Sequence, residues 1–281
     1  MNKKILILGA SGLLGQSLVD LFKEKEYVIG ALSRNSLEYT DKNINIYNID
    51  ILDYLLLEEV IKEYDIIVNC TGQITNPINQ CLLLNTSGIT NIINAVEKYN
   101  KKFIHISSVS VYGSTEYASE VSKLNPETPY ATMKYFSDYL IEQRLKNYAI
   151  LRVSNLFGKN QQKGIINYLT KSYLNNTYKL DFNNNGTLKR YYLHIEDFVS
   201  TIDKIIQKDI KGIYNIIGTD QLTIKELVLM FEVILNIKFN IDYTDDISLE
   251  NIENIDCNKI NTQILLDYKI NVEKYIKGLK S

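Results

Sequence analysis

The stretch Gly9-Ala10-Ser11-Gly12-Leu13-Leu14-Gly15 follows directly on Lys4-Ile5-Leu6-Ile7-Leu8, a short apolar run rich in strand-forming residues. From Leu13 onward the apolar positions Leu14, Leu18, Leu21 and Phe22 recur at helical spacing. A strand therefore feeds a helix through a loop with a glycine at every third position. The loop brings backbone close to whatever lies beyond the strand, and the new helix aims its unpaired N–H groups and positive dipole end the same way. A pyrophosphate fits both requirements. The spacing differs from the two-then-three glycine pattern common in dinucleotide sites, and glycine also serves ordinary tight turns. The strand before the loop, the helix after it and its place at the N-terminus are what point to a dinucleotide.

Strand and helix patterns then alternate. Residues 27–32, 45–49, 65–70, 103–106 and 149–153 read as strands, and 54–63, 85–99 and 132–145 as helices. Strands that are apolar on both faces predict a parallel sheet covered by helices on each side. Ligands of such sheets bind beyond the carboxyl ends of the strands, where this chain has Gly9, Ser33-Arg34, Asp50, Thr71-Gly72, Ser107-Ser108 and Ser154-Asn155. From about residue 156 the pattern loosens. Helices at 165–175, 196–207 and 224–234, a strand at 213–217 and a turn at 183–186 predict a smaller second lobe that shares elements with the first.

Composition narrows the class. The 281 residues include 31 basic and 33 acidic side chains, which nearly cancel and argue against a nucleic-acid partner. Cys70, Cys81 and Cys257 show no metal-ligand spacing, so no metal is expected, and Cys70 and Cys81 read as core residues of a reduced compartment. With no apolar stretch of membrane-spanning length and no signal-peptide pattern, a soluble cytoplasmic protein is expected, with no membrane partner. Tyr and Lys are abundant, whereas arginine occurs only at Arg34, Arg144, Arg152 and Arg190, so each arginine is the more informative.

Pro129-Tyr130-Ala131-Thr132-Met133-Lys134 stands between the two halves. One helical turn brings Tyr130 and Lys134 onto the same face. A free phenol ionises at about pH 10, and a nearby ammonium favours the phenolate, so Lys134 is expected to make Tyr130 an acid/base near neutrality. Chance alone yields ~2 such pairs in a chain this rich in Tyr and Lys. Position therefore carries the weight, because the pair follows the strand-end run Ser107-Ser108-Val109-Ser110-Val111-Tyr112-Gly113.

Taken in order, the glycine loop, that serine-rich run, the Tyr130/Lys134 pair and Leu151-Arg152-Val153-Ser154-Asn155-Leu156-Phe157-Gly158 resemble the extended short-chain dehydrogenase/reductases. These are nucleotide-sugar epimerases, dehydratases and ketoreductases. Arg190-Tyr191-Tyr192-Leu193-His194-Ile195-Glu196-Asp197 is similar to a further family segment, with Tyr191 and Tyr192 as departures, and Gly212-Ile213-Tyr214-Asn215-Ile216 has a counterpart as well. The resemblance covers nearly the whole chain. It implies an α/β fold, with a Rossmann-type doubly wound parallel sheet over residues 1–155 and a smaller C-terminal substrate-binding lobe over 156–281.

The same resemblance assigns roles. Gly9, Ser11, Gly12, Leu13, Leu14 and Gly15 would hold the cofactor's pyrophosphate. Ser33, Arg34, Asp50 and Ile51 would border its adenosine end, and Thr71 and Gly72 its central ribose and phosphate. Ser108 would hydrogen-bond the reacting sugar oxygen, Tyr130 would be the acid/base, and Lys134 would hold the nicotinamide ribose. Asn155 and Arg190 would contact a nucleotide-sugar substrate, Arg190 as a bidentate phosphate partner. A homodimer through helices 85–99 and 132–145 is also implied, with Tyr135, Tyr139 and Ile141 either supplying apolar surface for it or packing inside the subunit.

Several residues have plainer readings. Ser107 and Ser110 are expected to satisfy backbone groups at a strand end, His105 to be a core residue and His194 to be structural. Arg152 reads equally as a buried ion-pair partner or a substrate contact, and Asn85 as a helix N-cap or a residue that orders the site. Two departures from the family pattern bear on the reaction. Val109-Ser110 stands where the family's dehydratases carry Asp-Glu, which argues against dehydration. Ser33-Arg34 lacks the acidic residue that binds the ribose diol of NAD, and Arg34 suits a 2′-phosphate. The sequence therefore favours an NADPH-dependent ketoreductase of a nucleotide-activated 4-keto sugar, resembling the dTDP-4-dehydrorhamnose reductases at residues 65–69. An NAD(H)-dependent 4-epimerase is the alternative, and a non-catalytic dinucleotide sensor is the alternative of another class.

Overall fold

The computed structural model describes residues 2–72, 76–182, 184–244 and 250–280. Strand β1 (Lys4–Leu8) is hydrogen-bonded on both sides, to β2 (Val28–Ser33) and to β4 (Ile66–Asn69), and four of its five side chains are buried. The sheet continues from β2 to β3 (Ile44–Asn48), and from β4 through β5 (Lys102–Ser108) and β7 (Tyr148–Val153) to β11 (Gly212–Ile216). All seven strands are parallel, in the order β11-β7-β5-β4-β1-β2-β3. The chain runs outward from β1 to β3 and then crosses to the other side of β1. The crevice between β1 and β4 is thus the point where ligands of such sheets bind.

Helices cover both faces. On one, α1 (Leu13–Phe22) packs with α7 (Ile195–Gln207) over Ile5, Ile7, Ile104 and Ile216. On the other, α2 (Tyr54–Lys62), α4 (Ile89–Lys98) and α5 (Pro129–Arg144) enclose Leu6, Leu8, Ile67 and Phe103. From beyond residue 155, α7 and β11 return to this sheet and its core.

The rest of the chain builds the cover over the carboxyl edge. Strand β8 (Asn155–Phe157), not foreseen in the loosening pattern after Val153, pairs with β10 (Lys189–His194), and β10 pairs with β12 (Asp220–Thr223). Helices α6 (Ile165–Leu174), α8 (Ile224–Leu235) and α10 (Val272–Gly278) close a second core around Phe157, Leu169 and Phe231. Beside them β9 (Lys179–Phe182) pairs with β13 (Asn240–Tyr243), and β6 (Thr115–Ala118) with β14 (Ile252–Ile255). Of the turn expected at 183–186, residue 183 lies outside the described residues. No helix among the described residues is long and apolar enough to cross a membrane.

One expectation is corrected. The helix expected at 85–99 begins at α3 (Ile78–Leu83) and reaches α4 through a wide π-turn at Leu84–Gly88. Asn85 is thus inside a continuous helical path and is not its N-cap. Its amide bonds back to the Cys81 carbonyl at 2.9 Å, a side-chain bond that competes with the regular ladder. Of the three residues read as dimer surface or as packing inside the subunit, Ile141 is fully buried in the core and Tyr135 and Tyr139 are exposed.

The glycine loop explains its own composition. Gly9 has φ +81°, which favours glycine, and a Cβ on Gly15 would sit 2.3 Å from the Gly9 carbonyl oxygen. Gly15→Ala should therefore force α1 away from the loop. An overpacking loss of about 1–3 kcal/mol in a denaturant titration is the expected result.

Candidate active site

The first turn of α1 opens the site. Gly12 is the N-cap and offers no side chain to bond the leading N–H groups, and Leu13 and Leu14 line a cavity of about 640 Å³ beyond the sheet. Bare amides, a dipole end and a loop that tolerates no Cβ at Gly15 fit a pyrophosphate. Neighbouring strand ends are tied to the loop. Gly9 and Ala10 donate to the Leu32 carbonyl, and Ser33 Oγ donates to Ser11 Oγ at 2.7 Å. Arg34, next in the chain, is exposed and has no ion pair among the described residues. Asp50 turns its carboxylate to the Leu52 N–H, and Ile51 is buried so close to Gly88 that a Cβ there would meet its Cδ1 at 2.6 Å.

At the end of β4, Asn69 Oδ1 accepts from both the N–H and the hydroxyl of Thr71, at 3.0 and 2.7 Å. Gly72 follows at φ +76°, and Asn85 Nδ2 holds its carbonyl at 3.2 Å. The alternative left open for Asn85, ordering of the site, is the one its contacts match. His105 lies beneath, hydrogen-bonded to Asn69 and held neutral by burial.

Thr128 caps α5 by accepting from the Ala131 N–H, which sets Tyr130 in the first helical turn and Lys134 one turn on. Lys134 is completely buried, and its amine donates to the Thr71 and Ile106 carbonyls at 3.3 and 3.1 Å. Burial lowers it to about 8, against the pull of Asp138. Tyr130 moves opposite to expectation. Burial, and next the charge of Glu250, push its phenol up, although the Lys134 amine lies 6.0 Å from the ring centre. Desolvation disfavours the phenolate more than a lysine already engaged with carbonyls can favour it.

Ser108 ends β5 and caps a short turn, Val109–Tyr112. Its Oγ accepts from the Ser110 N–H at 3.2 Å and from the Ser110 hydroxyl at 2.9 Å. Ser110 thus orients Ser108 as well as serving the turn, more than the backbone role expected of it. With both lone pairs taken, the Ser108 hydrogen is donated onward, and its side chain bonds Tyr130.

Asn155 and Arg190 come to the cavity from β8 and β10. Arg190 Nη1 is already engaged by the Lys189 and Glu250 carbonyls, at 3.0 and 2.7 Å. Arg152 is the buried ion-pair partner of Asp138 at 3.0 Å and does not line the cavity. Tyr112 is also withdrawn from it, between Arg152 and Asn215. His194 caps α7 by accepting from the Glu196 N–H.

Sequence reasoning missed Glu250. It lines the cavity in a left-handed conformation, φ +59°, accepts the Thr128 hydroxyl at 2.6 Å and gives its N–H to Glu127. The one signal available was chemical, a carboxylate near an Asn-rich segment, and nothing in its neighbours marks it.

A doubly wound parallel sheet, a glycine cradle at its switch point and a Ser/Tyr/Lys group on the opposite wall define a dinucleotide-dependent enzyme class. The sequence model of the NAD dependent epimerase/dehydratase family matches residues 5–216, and the chain belongs to that family. Among its relatives, a dTDP-D-glucose 4,6-dehydratase of Dictyostelium discoideum is 29% identical over 256 residues, covering 78% of this chain and 58% of that protein. A dTDP-glucose 4,6-dehydratase of Mycolicibacterium smegmatis is 26% identical, covering 77% and 72%. The fold matches a dTDP-glucose 4,6-dehydratase of Bacillus anthracis solved with NAD, at TM-score 0.85 and 24% identity over 98% of this chain and 94% of that one. It also matches a UDP-glucuronic acid 4-epimerase of Bacillus cereus, at TM-score 0.86 and 19% identity over 98% and 96%.

Asn85→Ala removes the amide that holds the Gly72 carbonyl. A buried acceptor left without its partner predicts a loss of about 1–3 kcal/mol, read by thermal or denaturant unfolding.

Proposed function

We propose that the chain reduces the keto group of a nucleotide-activated 4-keto sugar, with NADP(H) as the cofactor. The observation that carries this reading is Ser108 beside Tyr130 on the cavity wall facing the glycine loop: its oxygen is filled by the two Ser110 donors, so it has only its hydrogen to offer to an acceptor bound there. A ketone oxygen is such an acceptor, and it gains negative charge as reduction proceeds. A bound nicotinamide supplies the hydride. Tyr130 gives the proton, Ser108 holds the oxygen through the change, and Lys134 holds the ribose. Raised by burial and by Glu250, Tyr130 rests as the phenol, the form a reduction consumes. Gly9, Gly12 and Gly15 hold the pyrophosphate, Thr71 and Gly72 the central ribose region, and Asp50 and Ile51 the adenine. Asn155 and Arg190 take the nucleotide sugar.

Dehydration is disfavoured because Val109 and Ser110 carry no carboxylate, and Ser110 is engaged with Ser108. The dehydratase names of the relatives make this the first point to test. Supplied with dTDP-glucose, the protein should form no 4-keto product, and with a nucleotide 4-keto-6-deoxysugar it should oxidise NADPH. The reverse pattern overturns the reading. A 4-epimerase uses the same hydroxyls in both directions, and NAD retained through purification together with inversion at C4 would establish that reading instead.

Tyr130→Phe should cut turnover by roughly 10²–10⁴-fold with binding retained. Ser108→Ala should lose turnover at nearly constant cofactor affinity, and Lys134→Met should lose both. Native turnover in Tyr130→Phe removes the assignment.

Arg34 is proposed to select the cofactor. Arg34→Asp should weaken NADPH use far more than NADH use, because a carboxylate repels a 2′-phosphate and suits a ribose diol. Equal loss with both cofactors counts against it. We also propose a homodimer through α3, α4 and α5, where Leu82, Leu83, Tyr135 and Tyr139 are exposed. Light scattering at micromolar concentration tests it, and a monomer refutes it.

A further inference from the structure

Lys134 is asked to be an ammonium in a place with no solvent. Its side chain is completely buried on the face of α5 that meets β5. The Thr71 and Ile106 carbonyls accept its hydrogens, but an uncharged amine would serve them as well, so these bonds alone do not keep the proton. One helical turn on, Asp138 is buried just as completely. Asp138 Oδ2 accepts from Arg152 Nε at 3.0 Å, and the Ser107 side chain bonds the same carboxylate. A carboxylate in such a place costs several kcal/mol in lost hydration unless cations answer it. Arg152 answers it by contact, and Lys134 from across the turn.

The other groups facing Lys134 contribute little charge. Tyr130, on the same helix, is kept as the phenol. Cys70 at the end of β4 is pushed up to about 12 by burial, and His105 on β5 is held neutral. Cys81 of α3 is a buried thiol. Among the described residues Asp138 is the carboxylate whose field reaches the amine.

We propose that Asp138 is a positioning residue that keeps Lys134 in the ammonium form, and that Arg152, its ion-pair partner, keeps Asp138 ionised. The link to catalysis rests on the reading of Lys134 as the cofactor's ribose contact. Lys134 is an ammonium below about 8 and an amine above it. Removing the Asp138 charge lowers that midpoint. Burial pushes the Asp138 carboxyl up and the Arg152 cation holds it down, so removing the Arg152 charge lets Asp138 take a proton and lowers the Lys134 midpoint as well. A pair that only braced the fold would leave the midpoint where it is.

Side-chain NMR of isotope-labelled lysine reads the amine directly, with the Lys134 resonance assigned by its loss in Lys134→Arg. Asp138→Asn should lower the midpoint by about one unit, Arg152→Gln should lower it too, and Arg152→Lys, which keeps the cation, should restore it. Should either single variant fail to fold, Asp138→Asn/Arg152→Gln, which removes both buried charges, is expected to titrate below the wild type. Midpoints that stay put or rise, or a double variant at or above the wild type, overturn the proposal. NADPH affinity, followed by nicotinamide fluorescence, should track the same midpoints and fall about fivefold at pH 8 in Asp138→Asn. Midpoints that move as stated while affinity ignores them leave Asp138 as the keeper of the charge, and it is then the ribose role of Lys134 that fails.

Discussion

Burying the amine of Lys134 is the constraint to which the rest of the site answers. A lysine ammonium taken out of water is tolerated only where acceptors and a countercharge meet it. Here the acceptors are backbone carbonyls at the ends of two different strands, Thr71 beyond β4 and Ile106 on β5. Satisfying both fixes how far α5 slides along the sheet. It also makes the shape of the Thr71–Gly72 loop a condition for the lysine, and that loop is held by Asn69 from below and Asn85 from the side. The countercharge draws in a further layer, from Asp138 to Arg152 to Tyr112 to Asn215. Helix, loop and buried network therefore stand or fall together, and Tyr130, four residues from Lys134, inherits its place from all of them.

Electrostatics then separates the two partners of that pair. Desolvation acts on both against their charged forms, which are opposite in sign, so it lowers Lys134 and raises Tyr130. Glu250 adds to the rise from a segment distant in sequence and is held there at a backbone conformation that disfavours any residue but glycine. Outliers of this kind persist where the surroundings over-determine them. In this case the Thr128 hydroxyl, the Glu127 carboxylate and Arg190 all grip residue 250.

Most of the sheet was legible because a parallel strand buried on both faces shows as a near-continuous apolar run, as β1, β2 and β4 do, whereas the edge strand β3 alternates. The glycine loop was legible for a related reason, since a helix starting straight from such a strand leaves few alternatives. What the sequence hid depends on contacts rather than on local pattern. Ile141 looks like any apolar residue on a helix with exposed tyrosines, and only the packing of α5 shows it to be core. Asn85 has the chemistry of an N-cap, and a helical path that already begins at Ile78 is what denies it that role. The direction of the Tyr130 shift was misjudged because spacing reveals a neighbouring charge but not the loss of water around both groups. Glu250 could not be found by motif, for its role comes from a left-handed turn that brings it to Thr128 across 122 positions.

Position 110 shows how one departure from a family pattern can change what a site does. A carboxylate there would be an acceptor and would draw the Ser108 hydrogen to itself. The serine actually present is a donor, and together with its own N–H it fills both lone pairs of Ser108. The Ser108 hydrogen is then left to turn towards Tyr130. Absence of the acid and presence of the donor fall at one position. The proposed reduction asks for that arrangement, a hydroxyl with only its hydrogen to offer, set beside Tyr130, for an oxygen that gains charge.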